Sequence, residues 1–263
     1  MADSVVSAIP RSGSLSGESE GGASSIAREE NRWHSPALDR EMDLLVFGHA
    51  GARLLAFPTS EGRYYDWERF GLVDAIANHL RNGAIQLFCA DSIDSDSWYA
   101  RDRTASERAQ RHAQYDQYLR DEVVPFSEQR NPGSPLMISG ASFGAYHAVT
   151  FALRYPHLVT RAIGMSGLYD ISRFVRGYAS DDVDSYNPVA IVANENNPGR
   201  LERLRQIDIV LAVGDEPLRE SNRRLSALLT DKGIPHTLNI SDDWVHDWSS
   251  WAEMLRLYLV DDD

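Results

Sequence analysis

The apolar segment Leu136-Met137-Ile138 runs straight into Gly140-Ala141-Ser142-Phe143-Gly144, and a helical pattern carries on to Tyr155. The order is strand, Gly-x-Ser-x-Gly, helix. Residues two before and two after the serine press against neighbouring backbone, so a Cβ at either place would block the turn. A serine on such a sharp, strained turn has its hydroxyl exposed. It also sits at a helix N-terminus, where free backbone N–H groups favour developing negative charge. A motif this short recurs by chance, and a glycine-rich turn with a solvated serine would look the same. The strand before it and the helix after it favour the exposed, strained serine.

The rest of the chain repeats the alternation. Met42 to Phe47 and Arg53 to Phe57 read as strands around the turn Gly48-His49-Ala50-Gly51. Leu72, Ile76 and Leu80 have helical spacing, Ile85 to Ala90 reads as a strand, and Tyr115, Leu119 and Val123 mark one face of a long helix over 105–126. After the helix that follows Ser142 come strands at 161–165 and 207–213, then helix 218–232, strand 235–240 and helix 247–260. Ile207 to Val213 is apolar except for Asp208, as in a strand buried on both faces. This order predicts an α/β protein with a mostly parallel central sheet and helices on both faces. Sites in such sheets gather at the carboxyl ends of the strands. Residues 166–206, polar and irregular, interrupt the alternation and read as a small cap or lid, with a plain surface excursion as the alternative. Residues 1–31 carry eight serines and four glycines without periodicity and read as a disordered tail, which leaves 32–263 as a single domain.

Composition narrows the function. A net charge of −13 argues against nucleic acid or an anionic membrane as main partner. The one cysteine, Cys89, allows no intrachain disulfide and lies in an apolar run. There is no apolar block of secretory or membrane-spanning type, so a cytoplasmic protein is expected. Homo-oligomerisation stays open.

A serine hydroxyl needs a base, and the base an orienting acid. On this kind of fold the chain order is serine, acid, histidine. Of the histidines after Ser142, His147 lies on the helix and should swing away, His157 follows a helix-ending proline, and His236 begins a strand. His246 lies in the loop between the last strand and the last helix and fits the base. The acid is expected just past strand 207–213, where Asp215 and Glu216 are adjacent and chemically equivalent; Asp170 is a third candidate. An oxyanion hole requires the backbone N–H of Phe143 and a second donor after strand 53–57. Pro58 has no N–H, so Thr59 comes first and Ser60 second. No metal-ligand cluster stands out, and the chemistry needs no cofactor.

Phe57-Pro58-Thr59-Ser60-x-Gly62-Arg63, Ser97-Trp98-Tyr99, Gly140-x-Ser142-Phe143-Gly144-Ala145-Tyr146-His147-Ala148, Ser166-Gly167-Leu168-Tyr169-Asp170 and His246-Asp247-Trp248-x-x-Trp251 resemble the esterase family of α/β-hydrolases. The likeness covers residues 32 to 260. It implies the α/β-hydrolase fold, Ser142 as nucleophile, His246 as base and an acid after Gly214. The acid loop is one residue shorter than is usual in that family: counting from the glycine favours Asp215, counting from Pro217 favours Glu216. Proline also replaces a glycine of the usual oxyanion loop, which leaves Thr59 and Ser60 both open. The expected activity is hydrolysis of a small-molecule carboxylic ester through an acyl-enzyme. The alternatives are an acyltransferase using the same triad and an inactive binding or scaffold protein. The aromatics Tyr64, Tyr65, Trp67, Trp98 and Tyr99 are expected near the site.

Overall fold

The computed structural model describes residues 25–175 and 180–259. Eight strands form one sheet: β1 (Arg28–Ser35), β2 (Arg40–Phe47), β3 (Ala52–Phe57), β4 (Ile85–Ala90), β5 (Leu136–Ala141), β6 (Arg161–Met165), β7 (Asp208–Val213) and β8 (Thr237–Ile240). Their spatial order is β1-β2-β4-β3-β5-β6-β7-β8. Only β2 runs against its neighbours; from β4 to β8 every pairing is parallel. The fold is that of an α/β-hydrolase.

Neighbouring residues on the central strands go to opposite faces, as the period of two requires. Leu55, Ile138, Ala162 and Ile209 join one core layer, whereas Leu54, Met137, Ile163 and Val210 join the other. Both faces are covered, so these strands are largely apolar, with polar residues such as Arg161 and Asp208 at their starts.

After α1 (Asp66–Arg69), two short helices, α2 (Leu72–Ala75) and α3 (Ala77–Arg81), stand where the Leu72/Ile76/Leu80 spacing predicts one. Ile76, at φ −115° and ψ 17°, breaks it, yet all three apolar residues still pack on the sheet. The helix expected over 105–126 is α4 (Ala105–Tyr118), a π turn (Leu119–Val123) and α5 (Val124–Arg130). Pro125 has no N–H for the preceding turn, and the widened π turn just before it accommodates that loss. Beyond β5 come α6 (Phe143–Arg154), α7 (Asp181–Asp184), α8 (Pro188–Asn194), α9 (Pro198–Leu204), α10 (Glu216–Asp231) and α11 (Trp248–Tyr258). Among the described residues no helix is long and apolar enough to cross a membrane.

The chain joins the sheet earlier than expected. β1 begins at Arg28, within the segment read as tail, and pairs along its length with β2. Apart from Trp33 its side chains are polar, and up to the buried Ser35 they alternate between half-buried and exposed, so hydropathy carries little strand signal. Residues 1–24 of that tail lie outside the described residues. Within 166–206, Ile171, Val175, Val183 and Tyr186 pack on Trp98, Phe143 and Tyr146 in a third apolar cluster.

Candidate active site

The carboxyl ends of β3, β5, β7 and β8 converge on one rim. Ser142 follows β5 directly at φ 55° and ψ −118°, a strained conformation for a residue with a Cβ and of order 1–3 kcal/mol in cost. It persists because its surroundings fix it. The Ser142 N–H donates to the Met165 carbonyl at 2.8 Å. A Cβ on Gly140 would meet the Gly144 carbonyl oxygen at 2.2 Å, and one on Gly144 would meet that of Pro58 at 2.4 Å. Both glycines are therefore demanded by close backbone approach, and Gly144 presses α6 onto the loop after β3.

Ser142 Oγ lies 3.0 Å from His246 Nε2, and His246 Nδ1 lies 3.3 Å from Asp215 Oδ1. His246 stands edge-on to the Trp251 ring at 5.0 Å. The Val245 N–H on its one side donates to Ser250 Oγ at 3.0 Å, and Asp247 on the other caps α11 through the Ser250 N–H at 2.8 Å. The neighbouring aspartate thus secures the helix rather than the imidazole. Gly214 lies so close to the histidine loop that a Cβ there would meet the Trp244 carbonyl oxygen at 1.9 Å.

The two adjacent acids are separated by the start of α10. Asp215 is its N-cap residue, with extended backbone, and turns back toward His246. Glu216 is the first helical residue; its carboxylate is 76% exposed and accepts from Arg219 Nη1 at 2.8 Å. Arg219, which sequence reasoning did not single out, also donates to the Gly214 carbonyl at 2.6 Å and pairs with Asp242 at 2.7 Å. It clamps the acid loop to the histidine loop. Asp170, the third candidate, is occupied by Ser172, Asn187 and Arg224.

A cavity of about 210 Å³ opens over Ser142 and His246, lined also by Ser60, Phe143, Leu168 and Arg173. Of the two candidate donors after β3, Ser60 faces this cavity; Thr59 is not on its wall, and its carbonyl accepts from the Gly62 N–H at 2.9 Å. Phe143 is the first residue of α6, a position whose N–H has no intrahelical acceptor.

His147 does turn away from Ser142. Its Nε2 lies 2.8 Å from Asp94 Oδ1, and both side chains are 1% exposed. The other oxygen of Asp94 accepts from the Glu61 N–H at 3.1 Å, so this buried pair tethers the loop after β3. His112 stacks on His147 at 5.5 Å, and burial pushes its imidazolium well down, so it is neutral. His236 is held by Ser226 and the Ile234 carbonyl, at 2.7 and 2.9 Å. Nothing near these residues in sequence signals the Asp94–His147 contact, which spans 53 positions.

The aromatic expectation holds only in part. Tyr99 packs edge-on against Phe143 at 5.1 Å and donates to Ser60 Oγ at 2.7 Å. Trp98 lies buried behind it, donating to Tyr146 Oη at 2.9 Å. Trp67 is a core residue that donates to the Phe57 carbonyl at 3.0 Å, and Tyr64 reaches away to Glu30 at 2.9 Å. Neither Tyr64, Tyr65 nor Trp67 lines the cavity.

Fold and site geometry together define the class: an α/β-hydrolase with a serine on a strained strand-to-helix turn and a histidine within hydrogen-bond reach. A family model described as "Putative esterase" matches residues 88–259, more than half of the chain, and the protein belongs to that family of carboxylic ester hydrolases. Among solved structures it is similar to a ferulic acid esterase, with 18% identity, a TM-score of 0.72 and coverage of 89% of this chain and 96% of that one. It is also similar to S-formylglutathione hydrolases. That of Agrobacterium tumefaciens shows 15% identity and a TM-score of 0.70 over 89% and 93% of the two chains. That of Staphylococcus aureus shows 14% identity and a TM-score of 0.65 over 89% and 97%. A sequence comparison with curated proteins gave no match.

Proposed function

We propose that the protein hydrolyses small-molecule carboxylic esters through an acyl-enzyme on Ser142. The observation that carries this reading is the chain of contacts from Ser142 Oγ to His246 Nε2 at 3.0 Å and from His246 Nδ1 to Asp215 Oδ1 at 3.3 Å. Ser142 Oγ attacks the acyl carbon while His246 Nε2 takes its proton. Asp215 holds Nδ1–H, fixing the tautomer and stabilising the imidazolium. The new C–O bond converts the carbonyl to an oxyanion, which the N–H groups of Phe143 and Ser60 accommodate; Ser60 is favoured over Thr59 because it faces the cavity. Collapse breaks the bond to the leaving alkoxide, which receives the proton from His246. Water then gives its proton to His246, attacks the acyl carbon and releases the acid and free Ser142.

The test is labelling with a fluorophosphonate probe, followed by product analysis. Labelling confined to Ser142 and lost in His246→Ala is the expected result. A folded wild-type protein that takes up no label would refute the activated serine. Acyl transfer to an added alcohol in preference to water would replace hydrolysis by transferase activity on the same residues.

A further inference from the structure

We infer that the ester this site takes carries an anionic group, a carboxylate or a phosphate, held in an arginine-lined cleft that adjoins the Ser142 cavity. The inference rests on the ester-hydrolase reading above. The cleft has a volume of about 500 Å³, and its apolar wall is Trp98, Tyr99 and Phe174. Four arginines line it: Arg101, Arg103, Arg108 and Arg173. Arg173 lines the Ser142 cavity as well, so the two spaces share a wall. Tyr99 joins them a second time, facing the cleft while its hydroxyl holds Ser60 Oγ.

The protein is acidic, with a net charge of −13, and several of its arginines meet carboxylates, as Arg28, Arg40, Arg63 and Arg130 do. Among the described residues none of the four cleft arginines forms an ion pair with a carboxylate. The nearby Glu107 is engaged in the cap of α4, accepting from the Thr104 N–H and hydroxyl at 2.8 and 2.7 Å. Two of the cations are held in place. Arg108 Nη1 donates to the Phe174 carbonyl at 2.6 Å, and Arg173 lies over the Phe174 ring at 5.0 Å. Like charges gathered in one concavity repel, and apolar walls reduce the screening between them. An anion offsets that repulsion, and the planar donor fork of arginine matches carboxylate and phosphate oxygens.

The test compares mono-p-nitrophenyl adipate, which carries a free carboxylate, with neutral p-nitrophenyl hexanoate of equal chain length. In wild type kcat/KM is expected to be at least about tenfold higher for the anionic ester, with the preference falling as ionic strength rises. In Arg101→Ala/Arg103→Ala and in Arg173→Ala that ratio is expected to drop at least about fivefold. The matching ω-phosphonate ester separates the two anions: the better substrate names the natural head group. Binding of the same esters to Ser142→Ala, followed by calorimetry, reads the cleft without turnover. Hydrolysis of both esters at equal rates, or a ratio unchanged in the arginine variants, would overturn the anion cleft and leave the hydrolase intact. Arginine-dependent binding of the anionic ester with no turnover in wild type would sustain the cleft and refute the hydrolase mechanism.

Discussion

Replacing Asp215 and Glu216 one at a time separates two side chains adjacent in sequence that the fold places in different surroundings. Asp215 approaches His246 Nδ1 at 3.3 Å, and its side chain is 19% exposed. Glu216 is 76% exposed and forms an i,i+3 pair with Arg219. Loss of the acid in a serine–histidine–acid triad leaves the imidazole free to take the wrong tautomer, which lowers kcat by about four orders of magnitude, or about 5.5 kcal/mol. An exposed helical ion pair is worth about 0.2–0.5 kcal/mol, so Glu216→Ala should leave kcat within about threefold of wild type. Arg219 keeps its contacts with Gly214 and Asp242 in that variant. The assay is steady-state hydrolysis of a p-nitrophenyl ester together with the rate of fluorophosphonate labelling, on proteins whose thermal melts are recorded alongside. A Glu216→Ala loss as large as that of Asp215→Ala would refute the division of roles. So would a folded Asp215→Ala protein within about tenfold of wild type.

Gly214→Ala places a methyl group against the Trp244 backbone and should cost about 1–3 kcal/mol by overpacking; with the acid and histidine loops forced apart, activity should fall further than the denaturant midpoint alone accounts for. Asp94→Ala leaves the buried His147 Nε2 and the Glu61 N–H without their acceptor, a loss of about 1–3 kcal/mol visible in urea unfolding, with slower ester turnover as the Thr59–Ser60 loop loosens; unchanged stability and rate would count against the tether. Burial opposes ionisation of Asp170, but hydrogen bonds from Ser172 and Asn187 and the charge of Arg224 outweigh it and hold its carboxyl below the ordinary 3.8. A depressed native value means that its stabilisation is complete above 3.8 and lost as pH falls through the native value. The stability gap between wild type and Asp170→Ala should therefore narrow below about pH 4, and a gap independent of pH would exclude this linkage.

Much of this molecule follows from local pattern. Strands buried on both faces are near-continuous apolar runs, so β3 to β7 are written openly in the hydropathy of the chain. The elbow is local in part: Gly140 answers the Gly144 carbonyl within the motif, whereas Gly144 answers the Pro58 carbonyl of the distant loop after β3. His246 is legible from chain order and its loop. What the sequence could not express are decisions made by contacts between distant segments. Which acid faces the histidine depends on where α10 starts, and one helical step sends Glu216 to solvent while its N-cap neighbour turns inward. Ser60, rather than Thr59, faces the cavity because of how the loop tethered by Asp94 and His147 is seated. The strand β1 exists because β2 offers it a partner along its whole length, not because its polar residues prefer to be extended. Arginines from 101 to 173 become one cleft only when the 171–175 segment packs on α4 and α6. A hydropathy period records how one element meets its layer; it holds no record of which side chains from separate elements meet each other.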